Sequence, residues 1–503
     1  VAVWSPFKHR PNLVDHQSHQ LLGCPERKES FPLNTEELCF KSAREIRSLI
    51  GRKEISPRET LEAFISRIET VNPKVNAFCT LAFDQAREVA KKAEEKISAG
   101  EAIGPLHGVP VAIKDLTPTA GIRTTYGSKI FEDYIPDEDG LIVERLKSAG
   151  AIVIGKTNTP EFGAGANTYN ALFGATRNPW DPRLTCGGSS GGSAVALACG
   201  LSPLATGSDL GGSLRIPASF CGVVGFRTSP GLIPFYPDIL GWDTFSVEGP
   251  MARDVADTAL LLSVLAGFDE RSPISFPVDA RAFLSAVERP EIKGFRVAWS
   301  PDLGIIPVDR EVRTVAQQAA KRFSELGCVV EEAHPDFEGL REVISVTRAH
   351  RMATLHREKL EKWRHVMNPN LVWNIEQGLS LTGKEIEEAE KARTVLYHRV
   401  RHFLKRYDLL LTPTVAVPPF PVEIPFPKEI NGQPMTNYTD WFLLTYAVSI
   451  TSLPAISVPC GWTSQGLPVG LQIVGRKLQE STVLRAAAAF EAIAPWNEKR
   501  PRL

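Results

Sequence analysis

Leu61, Phe64, Ile65 and Ile68 stand at i, i+3, i+4 and i+7, one apolar stripe of an amphipathic helix. Ser56-Pro57-Arg58-Glu59 marks its start, a capping box with Pro at the first helical position, and Asn72-Pro73 predicts its stop. A second box, Ser42-Ala43-Arg44-Glu45, opens a helix that Gly51 closes, and a further helix is expected from about Asp84 to Ala99. Short apolar runs then alternate with helical stretches. Val109–Ile113, Ala151–Ile154, Leu204–Thr206, Arg296–Trp299, Val329–Glu332, Leu409–Leu411, Ile456–Val458 and Leu471–Val474 read as strands. Leu141–Ser148, Ser193–Cys199, Asp254–Ala266, Glu311–Leu326 and Ser481–Ile493 read as helices. Such alternation predicts the α/β class, with helices layered on a sheet.

No composition break or repeat divides this series, which predicts one large domain over 35–503. Two stretches read as rim insertions at about 335–440: a charged, helical 335–405 and a Pro-rich, irregular 415–440. Residues 1–34 are polar and without period, with no leader-like charged and apolar pattern, and are expected to be a tail outside the fold. Lys and Arg (57) nearly balance Asp and Glu (58), so nothing favours nucleic acid or an anionic membrane as partner. The uncharged stretch Trp441–Gly475 is broken by three prolines and by polar residues, which argues against a membrane span. Eight scattered cysteines without a C-x-x-C pair point to neither a disulfide scaffold nor a zinc ribbon, and a reduced, cytoplasmic setting is expected.

Candidate chemistry sits in two Gly/Ser runs, Gly187-Gly188-Ser189-Ser190-Gly191-Gly192 and Thr206-Gly207-Ser208-Asp209-Leu210-Gly211-Gly212-Ser213. A flexible linker would share that composition. The helix-plus-strand pattern between the runs, Ala194–Leu197 and Pro203–Ala205, is not that of a linker. Gly211 and Gly212 before Ser213 allow backbone amides to converge beside a hydroxyl, the geometry of an oxyanion hole. A serine needs a base, and only His107 lies within a hundred residues of either run. Lys114, ending the apolar run Val109–Ile113, can serve if burial keeps it neutral. The alternative for it is a strand-end lysine with its head in water. Gly187–Gly191 also spells G-x-S-x-G, but a nucleophile elbow needs a strand just before it, and Asn178–Arg183 reads as a loop. His398 and His402 have metal-ligand spacing, without an acidic third ligand nearby, on a basic amphipathic helix. No metal and no cofactor are expected.

Taken together, Gly108–Asp115, Gly155–Phe162, Gly187–Ser193, Ser208–Gly222, Leu453-Pro454-Ala455 and Gly466–Gln472 resemble the amidase signature family of serine hydrolases over nearly the whole chain from about residue 40. The resemblance implies one α/β/α domain on a mixed central sheet and a Ser–Ser–Lys triad. It carries the lysine onto Lys114, the bridging serine, preceded by a cis peptide, onto Ser189, and the nucleophile onto Ser213. Leu210, Gly211, Gly212 and Ser213 then supply oxyanion amides, Ser190, Asp209 and Arg215 a supporting polar shell, and Gly163 (with Ala164-Gly165) the acyl side of a pocket. For Asp209 and Arg215 a structural salt bridge is the favoured reading.

The family resemblance implies hydrolysis of an amide-type bond through an acyl-enzyme on a small-molecule substrate; the small Gly163-Ala164-Gly165, the helical insertion and the lack of an evident clamp for a charged α-amino acid favour a neutral aryl or alkyl amide. A carbamate (urethane) or ester hydrolase on the same triad, and the glutaminase A-type subunit of an amidotransferase complex, are the alternatives. A non-catalytic module on the same scaffold is disfavoured by the intact Lys114, Ser189 and Ser213. Trp441, Phe442 and Tyr446 are expected in the core rather than as substrate surface, and a homodimer is compatible with the sequence.

Overall fold

The computed structural model describes residues 34–503, so the expected tail falls outside the described residues except for Asn34. Both predicted capping boxes form: Ser42 caps the helix Ala43–Gly51 and Ser56 the helix Pro57–Val75. The second helix runs on through Pro73 instead of stopping there. Its last turn is completed because Asn76 takes the left-handed conformation, with its N–H on the Asn72 carbonyl. The Asn72 side chain meanwhile accepts from the amides of Ala77 and Phe78, which turns the chain into a strand.

Among the described residues the main sheet has eleven strands. In chain order these are β1 (Phe78–Leu81), β2 (Pro110–Lys114), β3 (Ile152–Thr157), β4 (Leu204–Asp209), β5 (Val224–Arg227) and β6 (Val247–Ala252). Then come β7 (Arg296–Trp299), β8 (Val329–Glu332), β9 (Leu409–Pro413), β10 (Ala455–Trp462) and β11 (Pro468–Val474). Across the sheet the order is β1-β3-β2-β4-β6-β5-β10-β11-β9-β7-β8. The triplet β3-β2-β4 is parallel, the middle antiparallel and β9-β7-β8 parallel again, so the sheet is mixed.

Alternate residues of β2 enter two different cores. Val111 and Ile113 pack with helices Leu141–Ser148, Val255–Leu265 and Glu480–Ile493, while Ala112 packs with Pro57–Val75 and Gly191–Ala198. Helices thus cover both faces, the α/β/α layering expected. Strands β1, β5 and β6 were not foreseen. The 335–405 stretch is helical as expected, in Leu340–Trp363, Pro369–Ser380 and Gly383–Phe403, and 415–440 is mostly irregular, with a two-residue ladder, Glu429–Ile430 on Gln433–Pro434, and a bridge from Pro421 to Leu184. None of the described helices is long and apolar enough to cross a membrane.

Candidate active site

The parallel triplet ends its strands at one edge, and the side chains of interest gather there. Crevices at the carboxyl ends of parallel strands are where open α/β sheets bind ligands. Lys114 closes β2, and its N–H donates to Thr206 Oγ1 of β4 at 3.2 Å. Its side chain is 1% exposed. The Nζ donates to three hydroxyls: Ser189 at 2.7 Å, Ser190 at 2.9 Å and Ser208 at 2.9 Å. Burial pushes its pKa down to about 7, against a weaker upward pull from Asp209 and Glu248. The lysine is not the strand-end residue with its head in water.

The Gly187–Gly192 run is not a linker. Ser189 and Ser190 are buried and the helix Gly191–Ala198 follows at once. The Gly188–Ser189 peptide is cis. The Ser190 amide donates to the Ser213 carbonyl at 3.1 Å, which ties the two serine loops together. Ser213 is half-buried, and its Oγ makes no hydrogen bond to the described residues. Between β4 and the helix Arg215–Cys221, the loop bends at Gly212, whose φ is +133° and whose missing Cβ would lie 2.2 Å from Thr445 Oγ1. No L side chain fits there.

The expected donor set needs one correction. The Gly212 N–H donates to Asp209 Oδ1 at 2.9 Å, because the carboxylate reaches forward under the turn, so this amide is already engaged. The Leu210, Gly211 and Ser213 amides have no acceptor among the described residues and remain open.

Asp209 and Arg215 form the salt bridge favoured from the sequence: Nε to Oδ2 at 3.0 Å and Nη2 to Oδ1 at 2.9 Å, both side chains fully buried. Arg227, unforeseen, adds a bond to Asp209 Oδ1 at 3.2 Å. Burial alone would raise the Asp209 carboxyl; the two guanidiniums outweigh it and hold it well below the usual range. Arg215 also donates to Gln472, to the Thr445 carbonyl at 3.0 Å and to Ser449 at 2.6 Å.

Gly163 borders the serines from the other side. Its φ is +68°, and an added Cβ would come within 2.7 Å of Leu116 Cδ1 and 3.5 Å of Ser189 Oγ. The outer wall comes from the 335–440 region: Met352, Ala353 and Leu360 pack with Ala164, Ile130, Phe162 and Leu210. Trp441, Phe442 and Tyr446 are buried as expected, and the Tyr446 ring underlies Gly211, 3.1 Å from where its Cβ would be.

Sequence reasoning missed two residues beside Lys114. Ser208 lay inside the quoted motif, but its reach to Nζ comes from strand pairing. Glu248, on β6, sits directly opposite Ser208 and is buried, accepting from Thr117 Oγ1 at 3.0 Å. Burial raises its pKa to about 8, partly offset by the Thr117 bond and by Lys114. Among the described residues no cluster of His, Cys, Asp and Glu is arranged to hold a metal.

Known proteins resemble this chain in sequence and fold. The chain is 38% identical over 472 residues to an acylamidase of Rhodococcus erythropolis, covering 93% of this chain and 98% of that one. It is 36% identical to the A subunit of the glutamyl-tRNA(Gln) amidotransferase of Moorella thermoacetica, covering 93% and 99%. Its fold superposes on a bacterial aryl acylamidase with a TM-score of 0.85 at 33% identity, covering 91% and 97%. The 6-aminohexanoate cyclic dimer hydrolase gives 0.82 at 30%, covering 92% and 99%. Since the Amidase family model matches residues 59–484 and the solved neighbours share the mixed-sheet fold, the chain belongs to the amidase signature family.

Proposed function

We propose that this protein hydrolyses amide C–N bonds of small neutral aryl or alkyl substrates, with Ser213 as nucleophile. The observation that carries the reading is Lys114: a fully buried amine, titrating near 7, hydrogen-bonded to Ser189 at 2.7 Å. Neutral Lys114 takes the Ser189 proton while Ser189 takes that of Ser213, whose Oγ bonds to the carbonyl carbon. The open amides of Leu210, Gly211 and Ser213 receive the oxyanion. The lysine then returns its proton through Ser189 to the nitrogen, the C–N bond breaks and the amine leaves. Water repeats the attack on the acyl-Ser213 ester, and a carboxylic acid departs. The Asp209–Arg215 pair positions the loop and transfers no proton. Carbamates and esters fit the same steps.

A neutral substrate is supported by acids in and near the outer wall that are already paired. Asp243 and Asp440 are engaged by Arg351 at 2.8 Å and by Arg341, and the buried Arg348 donates to Tyr438 at 2.9 Å. An α-amino acid would bring two charges into a wall whose acids are already paired, at a cost of several kcal/mol. The chemistry and the neutral preference are tested together. A fluorophosphonate should label Ser213, and Ser213→Ala should abolish turnover; label on Ser189, or activity within tenfold of wild type, refutes the assignment. The kcat/KM for an N-aryl amide should exceed that for glutamine by far more than tenfold. Glutamine within tenfold of the best neutral substrate would promote the amidotransferase-subunit reading, which the 36% identical relative keeps in view. The free cysteines among the described residues, most of them buried, suit a reducing, cytoplasmic setting.

A further inference from the structure

The helix Leu443–Ile450 is buried along its whole length and apolar but for Thr445, Tyr446 and Ser449. Thr445 and Ser449 stand at i and i+4, so they share one face. That face meets the serine loop. Ser449 Oγ lies 2.6 Å from Arg215 Nη2 and 3.3 Å from Asp209 Oδ1. The Thr445 hydroxyl lies 2.7 Å from the carbonyl oxygen of Gly211.

A hydroxyl has one proton to give, and two carbonyls lie within reach of this one. Gly211 is at 2.7 Å and Phe442, one turn back, at 2.9 Å. Phe442 is the N-cap of the helix, and an N-cap carbonyl already accepts the first bond of its helix. The Gly211 carbonyl belongs to a buried residue and has no other donor among the described residues. A buried acceptor left bare is costly, so the proton goes to Gly211.

The Gly211 oxygen and the Gly212 N–H are the two ends of one planar peptide unit and point opposite ways. Thr445 holds the oxygen, and Asp209 Oδ1 holds the N–H at 2.9 Å. With glycine on both sides, this plane has no Cβ to keep it from turning over. Turning it over would set the carbonyl against the Asp209 carboxylate. It would also rotate the torsions that join the plane to the open amides of Gly211 and Ser213.

We infer that Thr445 is a positioning residue whose hydroxyl, bonded to the Gly211 carbonyl, fixes the Gly211–Gly212 peptide and so aims the Gly211 and Ser213 amides at the oxyanion. Thr445 is 0% exposed and acts through the backbone, not on the substrate. The inference rests on the amidase reading and adds to it a residue outside both serine runs.

Thr445→Val keeps the shape of the side chain and removes the hydroxyl. Its kcat on an N-aryl amide should fall roughly tenfold, the scale of one buried hydrogen bond, with KM within about twofold of wild type. Thr445→Ser restores a hydroxyl and should recover most of that loss. A packing role alone predicts the reverse order, since serine fills the space less well than valine. A trifluoromethyl ketone, which adds to a serine as a tetrahedral oxyanion, should bind Thr445→Val more weakly by the same factor. The Kd of the amide should be equal in Ser213→Ala with and without Thr445→Val. Fluorophosphonate keeps the two readings apart: label on Ser213 of the wild type tests the amidase reading, and the ratio of labelling rates between wild type and Thr445→Val tests this one. Urea unfolding checks that the variants are folded, and Thr445→Ala takes the place of Thr445→Val if the latter is not. Labelling and turnover of the folded variant within twofold of wild type, a loss confined to KM, or a loss in Thr445→Ser as deep as in Thr445→Val overturns the inference.

Discussion

Two buried lysines stand on neighbouring strands with different partners, and the proposed mechanism gives them opposite uses. Lys114 pairs with Thr157 across the β2–β3 ladder and Ile113 with Lys156, so the two amines leave opposite faces of the sheet. Lys156 is 0% exposed, and its Nζ donates to the Thr117 carbonyl and to the hydroxyls of Thr119 (3.0 Å) and Thr124 (2.9 Å). The Asp115 carboxylate lies 3.9 Å away, and burial with that neighbour leaves the lysine pKa at about 8. Lys114 meets only serine hydroxyls, and the one carboxylate close in sequence to them, Asp209, is held by two arginines. A carbonyl and a carboxylate fix a proton on an amine, whereas hydroxyls both give and accept one. On the proposed mechanism, the difference between a structural tie and a base thus lies in the kind of partner, not in the depth of burial.

Exchange of the two roles would break this comparison. Lys114→Met should lower turnover by about 10³-fold or more, the scale of a missing general base, while leaving the urea unfolding midpoint near that of wild type. Lys114→Arg should be equally inactive, since a guanidinium stays protonated. A Lys114→Met enzyme within tenfold of wild type would dissolve the distinction. Lys156→Met leaves Asp115 and three oxygens buried without their cation, so equilibrium unfolding should show a loss of about 3–5 kcal/mol. A stable Lys156→Met protein would mean that the second amine ties nothing.

A smaller effect sharpens the comparison. The reactive form of Lys114 is the neutral one, so the acylation rate should fall as pH drops through about 7, close to tenfold per unit below it. Ionised Glu248 favours the protonated lysine. With its own pKa raised to about 8, Glu248 is largely protonated where Lys114 titrates, so Glu248→Gln, which keeps an acceptor for Thr117, should leave the acidic limb in place. A limb that moves toward lower pH, measured under single-turnover conditions, would show that Glu248 is ionised beside Lys114 at neutral pH.

What could be read in the sequence was local or came as a contiguous motif. The capping boxes at Ser42 and Ser56 work within four residues, and both helix starts were legible. Strand β6 was not, because Glu248-Gly249-Pro250 carries the residues that normally mark a turn. Its burial between β4 and β5 overrides them. Lys114, Ser189 and Ser213 stood out through their motifs. Ser208 and Glu248 gain their place from register between strands, and Thr445 from a helix 234 residues beyond the Gly211 it holds, which no local pattern encodes. The engaged Gly212 amide belongs to the same class: a glycine run announces a tight turn but not which of its N–H groups a neighbouring carboxylate will take.

The anchoring of Arg215 bears on when the enzyme can first work during its own synthesis. The guanidinium that holds the Ser213 turn through Asp209 is itself gripped by Thr445, Ser449 and Gln472. Those residues lie some 230 to 257 positions downstream. A nascent chain that has already exposed Lys114, Ser189 and Ser213 outside the ribosome still lacks the groups that set the serine loop. The hydrogen bonds that anchor the serine loop are therefore complete only once β11 is laid down, and on the proposed mechanism an unfinished polypeptide would carry all three reactive side chains without that anchor.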